Sequence, residues 1–344
     1  MEKILNKINQ LAKEIKKDVT LMEVCGTHTE AIAKHGLKKI LPPNIKLISG
    51  PGCPVCVTEQ RDIDNIIELA LQGIPVVTYG DMLKVPGNKM SLEQSIRHGA
   101  KVFTVYSTEE IFTNPVIKPL NKGLVFFGIG FDTTTPMTAS IIKKGITVYS
   151  THKNFFPAMK ALIVNQKIKI DGFINPGHVS AIIGLKHYQQ LKLSQVIAGF
   201  EPEDVLMAIL MLLKQIKDGQ KKVENQYQRV VTNQGNVQAQ KLINEVFEIK
   251  TVYWRGFGPI PDSGYELRKK YQQFDAKIKY RKILTGLKIK PSPKLKLCRC
   301  GEVIKGLIDP ADCRLFSKSC QPENPIGPCM VSREGACNVK YRFK

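Results

Sequence analysis

The sequence has no hydrophobic stretch able to cross a bilayer. Its longest apolar run, Val205 to Leu213, falls far short of the ~20 residues that a spanning helix needs. The first residues, Met1-Glu2-Lys3-Ile4, lack the apolar core of an export signal and begin an amphipathic helix instead. Cysteine is scarce over most of the chain: only Cys25, Cys53 and Cys56 of the nine precede residue 298. The remaining six contain no C-x2–4-C knuckle of the kind that structural zinc sites usually pair. The stretch 276–301 carries nine Lys or Arg and no acid. Tyr280 is its single aromatic, so a solvated linker or a docking face for an acidic partner is favoured over a nucleic-acid surface. These absences lead to the expectation of a cytoplasmic protein with no membrane insertion and no nucleic-acid partner.

What is present is enough for a sizeable core. The chain has 344 residues, 43% of them hydrophobic, and a net charge of +21. That length allows about two or three domains. Residues 3–17 place Ile4, Ile8, Leu11 and Ile15 near one helical face. Thr20 to Val24 reads as a short buried strand ending at Cys25-Gly26-Thr27-His28-Thr29, with a helix from about Glu30. The middle looks like one unit used twice. Strand Lys46–Ser49, turn Gly50-Pro51-Gly52-Cys53-Pro54-Val55-Cys56 and helix Thr58–Leu71 form the first copy, with strands at 73–79 and 101–106. The second has strand Leu124–Phe127, loop 128–134, a helix from about Thr135, and strands at 145–149 and 172–175.

Strands alternating with helices predict α/β architecture: two similar parallel-sheet α/β domains, with ligand chemistry on loops beyond the strand ends. A helix over Glu203–Lys217 closes the second unit, and the polar, Gln/Asn-rich 219–236 reads as a linker. The pattern after Val237 is less regular, with a turn-rich element at Tyr253–Pro259. The Cys-rich end cannot bury enough surface alone and calls for a third, mostly helical or irregular domain organised around a metal. The divisions are 1–43 for the N-terminal helix and Cys25 loop, 44–120 and 121–218 for the α/β domains, and 237–344 for the third.

Without an export signal, gathered thiols point to metal binding or redox work. Cys298, Cys313, Cys320 and Cys337 have the spacing C-x14-C-x6-C-x16-C. Wide, uneven spacing suits a [4Fe–4S] cube, whose corners need ligands from several directions; zinc and disulfides are the alternatives. Cys300 and Cys329 are left over, each near one of the four. Cys53 and Cys56 form a C-x-x-C at a helix start, the setting of a dithiol/disulfide couple, against half a metal knuckle or two buried thiols. Cys25 with His28 offers a soft ligand for iron, or a nucleophile and its base, against a merely buried thiol. Asp132 and His178 occupy corresponding loops and are candidates for polarising or protonating a ligand, against an N-cap and a satisfied loop histidine. Glu334 stands three residues before Cys337, placed to tune a sulfur or a proton.

Taken together, Cys25-Gly-Thr-His-Thr29, Gly50-Pro-Gly-Cys-Pro-Val-Cys56, Gly130-Phe-Asp-Thr-Thr134, Pro176-Gly-His-Val-Ser180 and the C-terminal cysteine spacing resemble the HypD family of hydrogenase maturation factors. The resemblance covers about Met22 to Tyr341. Asp132 stands where that family has a glutamate. The resemblance implies two similar α/β domains and a third carrying a [4Fe–4S] cluster. It implies a scaffold on which the Fe(CN)2CO unit of [NiFe] hydrogenases is assembled, with a HypC-type small chaperone and a HypE-type cyanide donor as partners. Cys25 would hold the nascent iron with His28 close by. Cys298, Cys313, Cys320 and Cys337 would bind the cluster. Cys300 and Cys329 would form a thiol pair between the cluster and the redox dithiol Cys53/Cys56. A cluster-dependent disulfide reductase acting on a protein partner is the alternative function.

Overall fold

The computed structural model describes residues 1–164 and 168–343. Its strands are β1 (Val19–Glu23), β2 (Ile45–Ser49), β3 (Val76–Tyr79), β4 (Val102–Val105), β5 (Val125–Gly128), β6 (Thr147–Ser150), β7 (Gly172–Pro176), β8 (Ser194–Ala198), β9 (Val223–Asn225), β10 (Phe247–Trp254) and β11 (Gly258–Leu267). They form two parallel sheets and one antiparallel hairpin. The first sheet has the order β2-β1-β7-β8-β9, the second β4-β3-β5-β6, and β10 pairs with β11. The C-terminal Cys-containing region is helical and irregular, with short helices such as Cys300–Val303, Pro328–Val331 and Ala336–Arg342. The α/β class with two parallel sheets and a separate Cys-rich region is therefore as expected from the sequence.

The strands are shared out differently from the two successive copies. β2 and β3 were expected side by side in one unit, yet β2 lies in the first sheet and β3 in the second. β1 lies between β2 and β7 in the first sheet, with Leu21 opposite Leu47 on one side and Gly172 on the other. Most strands of the two sheets are short, buried apolar runs, and such runs identify a strand without naming its neighbour. The first sheet is backed by the amphipathic helix Glu2–Ile15, whose Ile8 and Ala12 pack with Ile209, Leu212 and Leu213 of helix Pro202–Lys217. Isoleucines and phenylalanines of 111–148 fill the corresponding layer beside the second sheet.

Local differences have local causes. The helix after β1 starts at Gly26 rather than near Glu30, because Cys25, extended at φ −146°, already stands at its N-cap. The helix expected over Thr58–Leu71 runs Gln60–Leu71, and the turn before it holds a short helix of its own, Pro54–Val57, with proline at its first position. The 219–236 linker is folded onto the first sheet. It contains β9, and Val231 is buried. Its polar side chains are tied down: Asn225 Nδ2 donates to Val231 O at 2.8 Å and Gln226 Nε2 to Asp204 Oδ1 at 2.7 Å. The turn-rich element at 253–259 is the tip of the β10–β11 hairpin.

Candidate functional site

The first sheet brings two thiol motifs together at its rim. β1 and β2 are parallel neighbours, with Glu23 opposite Ser49, so the loops bearing Cys25 and Cys53 leave the sheet side by side. Gly26 N donates to Gly52 O at 3.1 Å. A Cβ on residue 52 would lie 2.4 Å from the Cα of Cys25, so only glycine lets the two loops meet. Cys53 and Cys56 are at disulfide distance, with Cα atoms 5.3 Å apart, and both are buried. The Cys56 amide also points at Cys53 Sγ, at 3.2 Å.

Cys25 is held by carboxylates from two directions. Glu23, fully buried at the end of β1, accepts from the Cys25 amide at 3.0 Å and from Thr29 Oγ1 at 2.6 Å. Glu334, from the distant C-terminal region, accepts from Thr27 Oγ1 at 2.8 Å. Burial pushes the Cys25 thiol up to about 12, the Glu334 carboxylate adds to the rise, and the His28 and Thr27 amides oppose it. At neutral pH this residue is a protonated thiol that ionises only with a cationic partner. Glu23 was not foreseen from the sequence; a lone acid inside a buried strand is the signal that marked it.

His28 is buried one turn away, but its ring faces the end of β8. Nε2 lies 2.9 Å from Gly199 O, while Nδ1 has no partner among the described residues. Burial lowers it to about 4, so it is neutral. Its ring centroid is 4.8 Å from that of Phe200, and His178 stacks on the other side of this network, 4.0 Å from Phe200. His28 and His178 are thus brought together around one aromatic ring. Asp132 follows β5 at the rim of the second sheet, with Tyr188, whose Oη is 3.0 Å from Ser180 Oγ, standing near both Asp132 and Cys25. Asp132 accepts from Tyr265 Oη at 2.5 Å and from the Phe155 amide at 3.3 Å, and burial raises it. It anchors the β10–β11 hairpin to the loop after β5.

All six C-terminal cysteines line one apolar cavity, with Leu315, Phe316, Val303 and Met330 completing its wall. Cys300 and Cys329 sulfurs are 2.7 Å apart. Cys298 contacts Cys300, and Cys329 contacts Cys337. A Cβ on residue 327 would lie 2.4 Å from Cys298 Sγ, so Gly327 lets that sulfur in. The Ile326 amide donates to Cys320 Sγ at 3.3 Å. Helix Pro328–Val331, which carries Cys329, packs on helix Pro54–Val57, which carries Cys56. The hairpin tip closes the same joint: Arg255 donates from its amide to Val57 O and from Nε to Thr58 O, both at 2.9 Å. Next to it Gly256 meets the backbone of Gly301. Arg255 escaped sequence reasoning; only the Trp254-Arg255-Gly256-Phe257-Gly258 turn hinted at a constrained tip. The nine cysteines, from the Cys25 loop, the Cys53–Cys56 turn and the C-terminal region, therefore belong to one contiguous region.

A profile of the family described as "HypD: Hydrogenase formation hypA family" matches residues 1–344. The chain belongs to the HypD family. A hydrogenase expression/formation protein of Methanocaldococcus jannaschii is similar, 44% identical over 100% of this chain and 97% of its own. The hydrogenase maturation factor HypD of Cupriavidus necator is 40% identical over 94% of this chain and 89% of its own. That of Rhodobacter capsulatus is 39% identical over 99% and 94%. Among the described residues no helix is long and apolar enough to cross a membrane.

Proposed function

We propose that this HypD-family chain is a scaffold and redox factor for assembling the Fe(CN)2CO centre of [NiFe] hydrogenases. The nascent iron unit is its cargo, bound through Cys25 and received together with a HypC-type chaperone and a HypE-type cyanide donor in the cytoplasm. The observation that carries the reading is the contiguity of the thiols, from the six-cysteine cavity through helices Pro328–Val331 and Pro54–Val57 to the Gly52–Cys25 contact. A soft thiolate suits low-spin iron bearing cyanide and carbon monoxide.

Cys298, Cys313, Cys320 and Cys337 fit a [4Fe–4S] cluster. They come from separate segments, their cavity is apolar, and at least one sulfur accepts a backbone amide, the features that hold and tune such clusters. When bound, the cluster supplies single electrons. The chain's own thiols do the rest. Cys300 and Cys329 together give up two protons and two electrons on becoming a disulfide, and the Cys53–Cys56 disulfide takes them up to become two thiols. Thiol–disulfide exchange needs such close access between the two pairs. Cys53 and Cys56 are buried beside the Cys25 loop, which would carry the cargo. That burial weighs against the alternative of a reductase acting on an external protein disulfide.

The test is anaerobic co-purification with the HypC-type partner, followed by infrared spectroscopy of the cyanide and carbonyl stretches. Wild type shows both sets of bands. Cys25→Ser loses them while keeping the visible absorbance of the cluster. Bands of wild-type strength in Cys25→Ser remove Cys25 as the iron ligand, and zinc without acid-labile sulfide removes the cluster.

A further inference from the structure

The rim of the second sheet carries a cleft that the sulfur chemistry does not use. Its volume is about 560 Å³, within the range of small-molecule sites. Four segments remote in sequence build it: the start of helix Gln60–Leu71, the end of β6 with 151–153, the β10–β11 hairpin, and 277–285. Open α/β sheets bind ligands at this position, beyond the C-terminal ends of the strands.

The cleft gathers four cations alongside the acids Glu59, Asp62 and Glu266. Arg61, Lys153, Lys277 and Arg281 all line it. Among the described residues, none of the four has a carboxylate within ion-pair distance. Lys153 is only 3% exposed. Its Nζ donates to Tyr253 O at 2.8 Å and stands 6.0 Å from the ring centroid of Trp254, which leaves further ammonium hydrogens free. The acids of the cleft have other tasks. Asp62 accepts from Tyr149 Oη at 2.9 Å, and Glu59 caps the Arg61 amide. Glu266 forms no ion pair with the four. On the cleft wall, buried Asn65 holds Tyr149 Oη at 2.8 Å, while its own Oδ1 has no partner among the described residues. Burying an ammonium without a matching charge is unfavourable. Burial accordingly lowers Lys153 to about 8, with Lys277 adding to the fall and Asp62 and Glu59 opposing it.

We propose that this cleft binds a small metabolite through an oxyanion group, phosphate or carboxylate, seated on Lys153, Lys277 and Arg281. The oxyanion supplies the close ion-pair partner that none of the three has among the described residues. The site is separate from the thiol region, so it neither needs nor tests the iron-assembly reading.

Trp254 is the only tryptophan of the chain, so its fluorescence reports on Lys153 without ambiguity. The full-length protein is titrated with inorganic phosphate and, separately, with succinate, against chloride of matched ionic strength. The expected result is a saturable change in Trp254 emission and a 1:1 calorimetric isotherm with at least one of the two, which also identifies the preferred group. Arg281→Glu and Lys277→Glu, both outside the core, weaken that binding at least about tenfold, one lost charge contact each, without changing the melting temperature. Lys153→Gln removes the fluorescence response. The proposal is overturned if neither anion gives a saturable response, or if the binding observed is unchanged in Arg281→Glu and Lys277→Glu.

Discussion

The two parallel sheets end in rims of opposite chemistry. At the first, β1 and β2 lead into Cys25 and Cys53, and the Cys-rich C-terminal region covers them. At the second, β5 and β6 lead into Asp132 and His152-Lys153, with no cysteine after either strand, and the β10–β11 hairpin covers them. The same backbone plan thus places reactive groups at strand ends twice, and the covering element decides what each rim can hold. Burial acts on both in the same sense, toward the neutral form. It raises the Cys25 thiol to about 12 and lowers the Lys153 amine to about 8. Each group is therefore biased toward its neutral form, and a partner of opposite charge, a cation at Cys25 or an anion at Lys153, would favour the charged one. The hairpin links the two rims, because its tip residue Arg255 is bonded to the segment just after Cys56.

Substitutions at each rim break this comparison in different ways. The largest effect is expected at the first: Cys25→Ser abolishes hydrogenase maturation in a complementation assay while the purified protein keeps its melting temperature. Next is Gly52→Ala. The added Cβ meets Cys25 backbone that cannot swing aside, so a loss of about 3 kcal/mol in denaturant unfolding is expected, typical of overpacking. At the second rim, Asp132→Asn turns one acceptor toward Phe155 N into a donor. A cost of about 1–3 kcal/mol follows from the unsatisfied buried amide, with the visible absorbance of the thiol region unchanged.

A further effect is a pH slope, seen only in alkaline solution and absent at neutral pH. Cys25 has its ordinary value near 9.0 unfolded and about 12 folded. The unfolded chain loses this proton first as pH rises. Stability from this residue is therefore whole below about pH 9 and declines toward pH 12 by up to about 1.4 kcal/mol per unit. Unfolding curves of wild type and Cys25→Ala should diverge in that window and run parallel below it. Binding of ferrous iron at Cys25 should likewise release one proton per iron at neutral pH, and none in the alanine variant.

The sequence made most strands and the chemistry of the thiols legible, because short apolar runs bounded by Gly and Pro identify strands, and cysteine spacing survives folding unchanged. Strand neighbours were not legible: nothing in Val19–Glu23 says that it will lie between β2 and the distant β7. The hairpin was hidden for two reasons. β10 is mostly exposed along its middle, and β11 contains Pro259 and Pro261, which argue against a strand unless it lies at an edge. The 219–236 segment was hidden because the few apolar residues it packs against the core, Val223, Tyr227 and Val231, are scattered among polar ones such as Gln226, which hydrogen-bonds to Asp204 and Gly199. At the site, the approach of Gly52 to Cys25 and of Glu334 to Thr27 depends on tertiary placement, so only the residue types could be read in advance.

The central claim is that reducing equivalents reach Cys53 and Cys56 through Cys300 and Cys329. The direct measurement is mass-spectrometric mapping of alkylated thiols after anaerobic reduction of the cluster-loaded protein by a one-electron viologen donor. In wild type, Cys53 and Cys56 should become labelled; in Cys329→Ser they should stay oxidised while the cluster absorbance still bleaches. Labelling of Cys53 and Cys56 at the wild-type rate in Cys329→Ser would contradict the account.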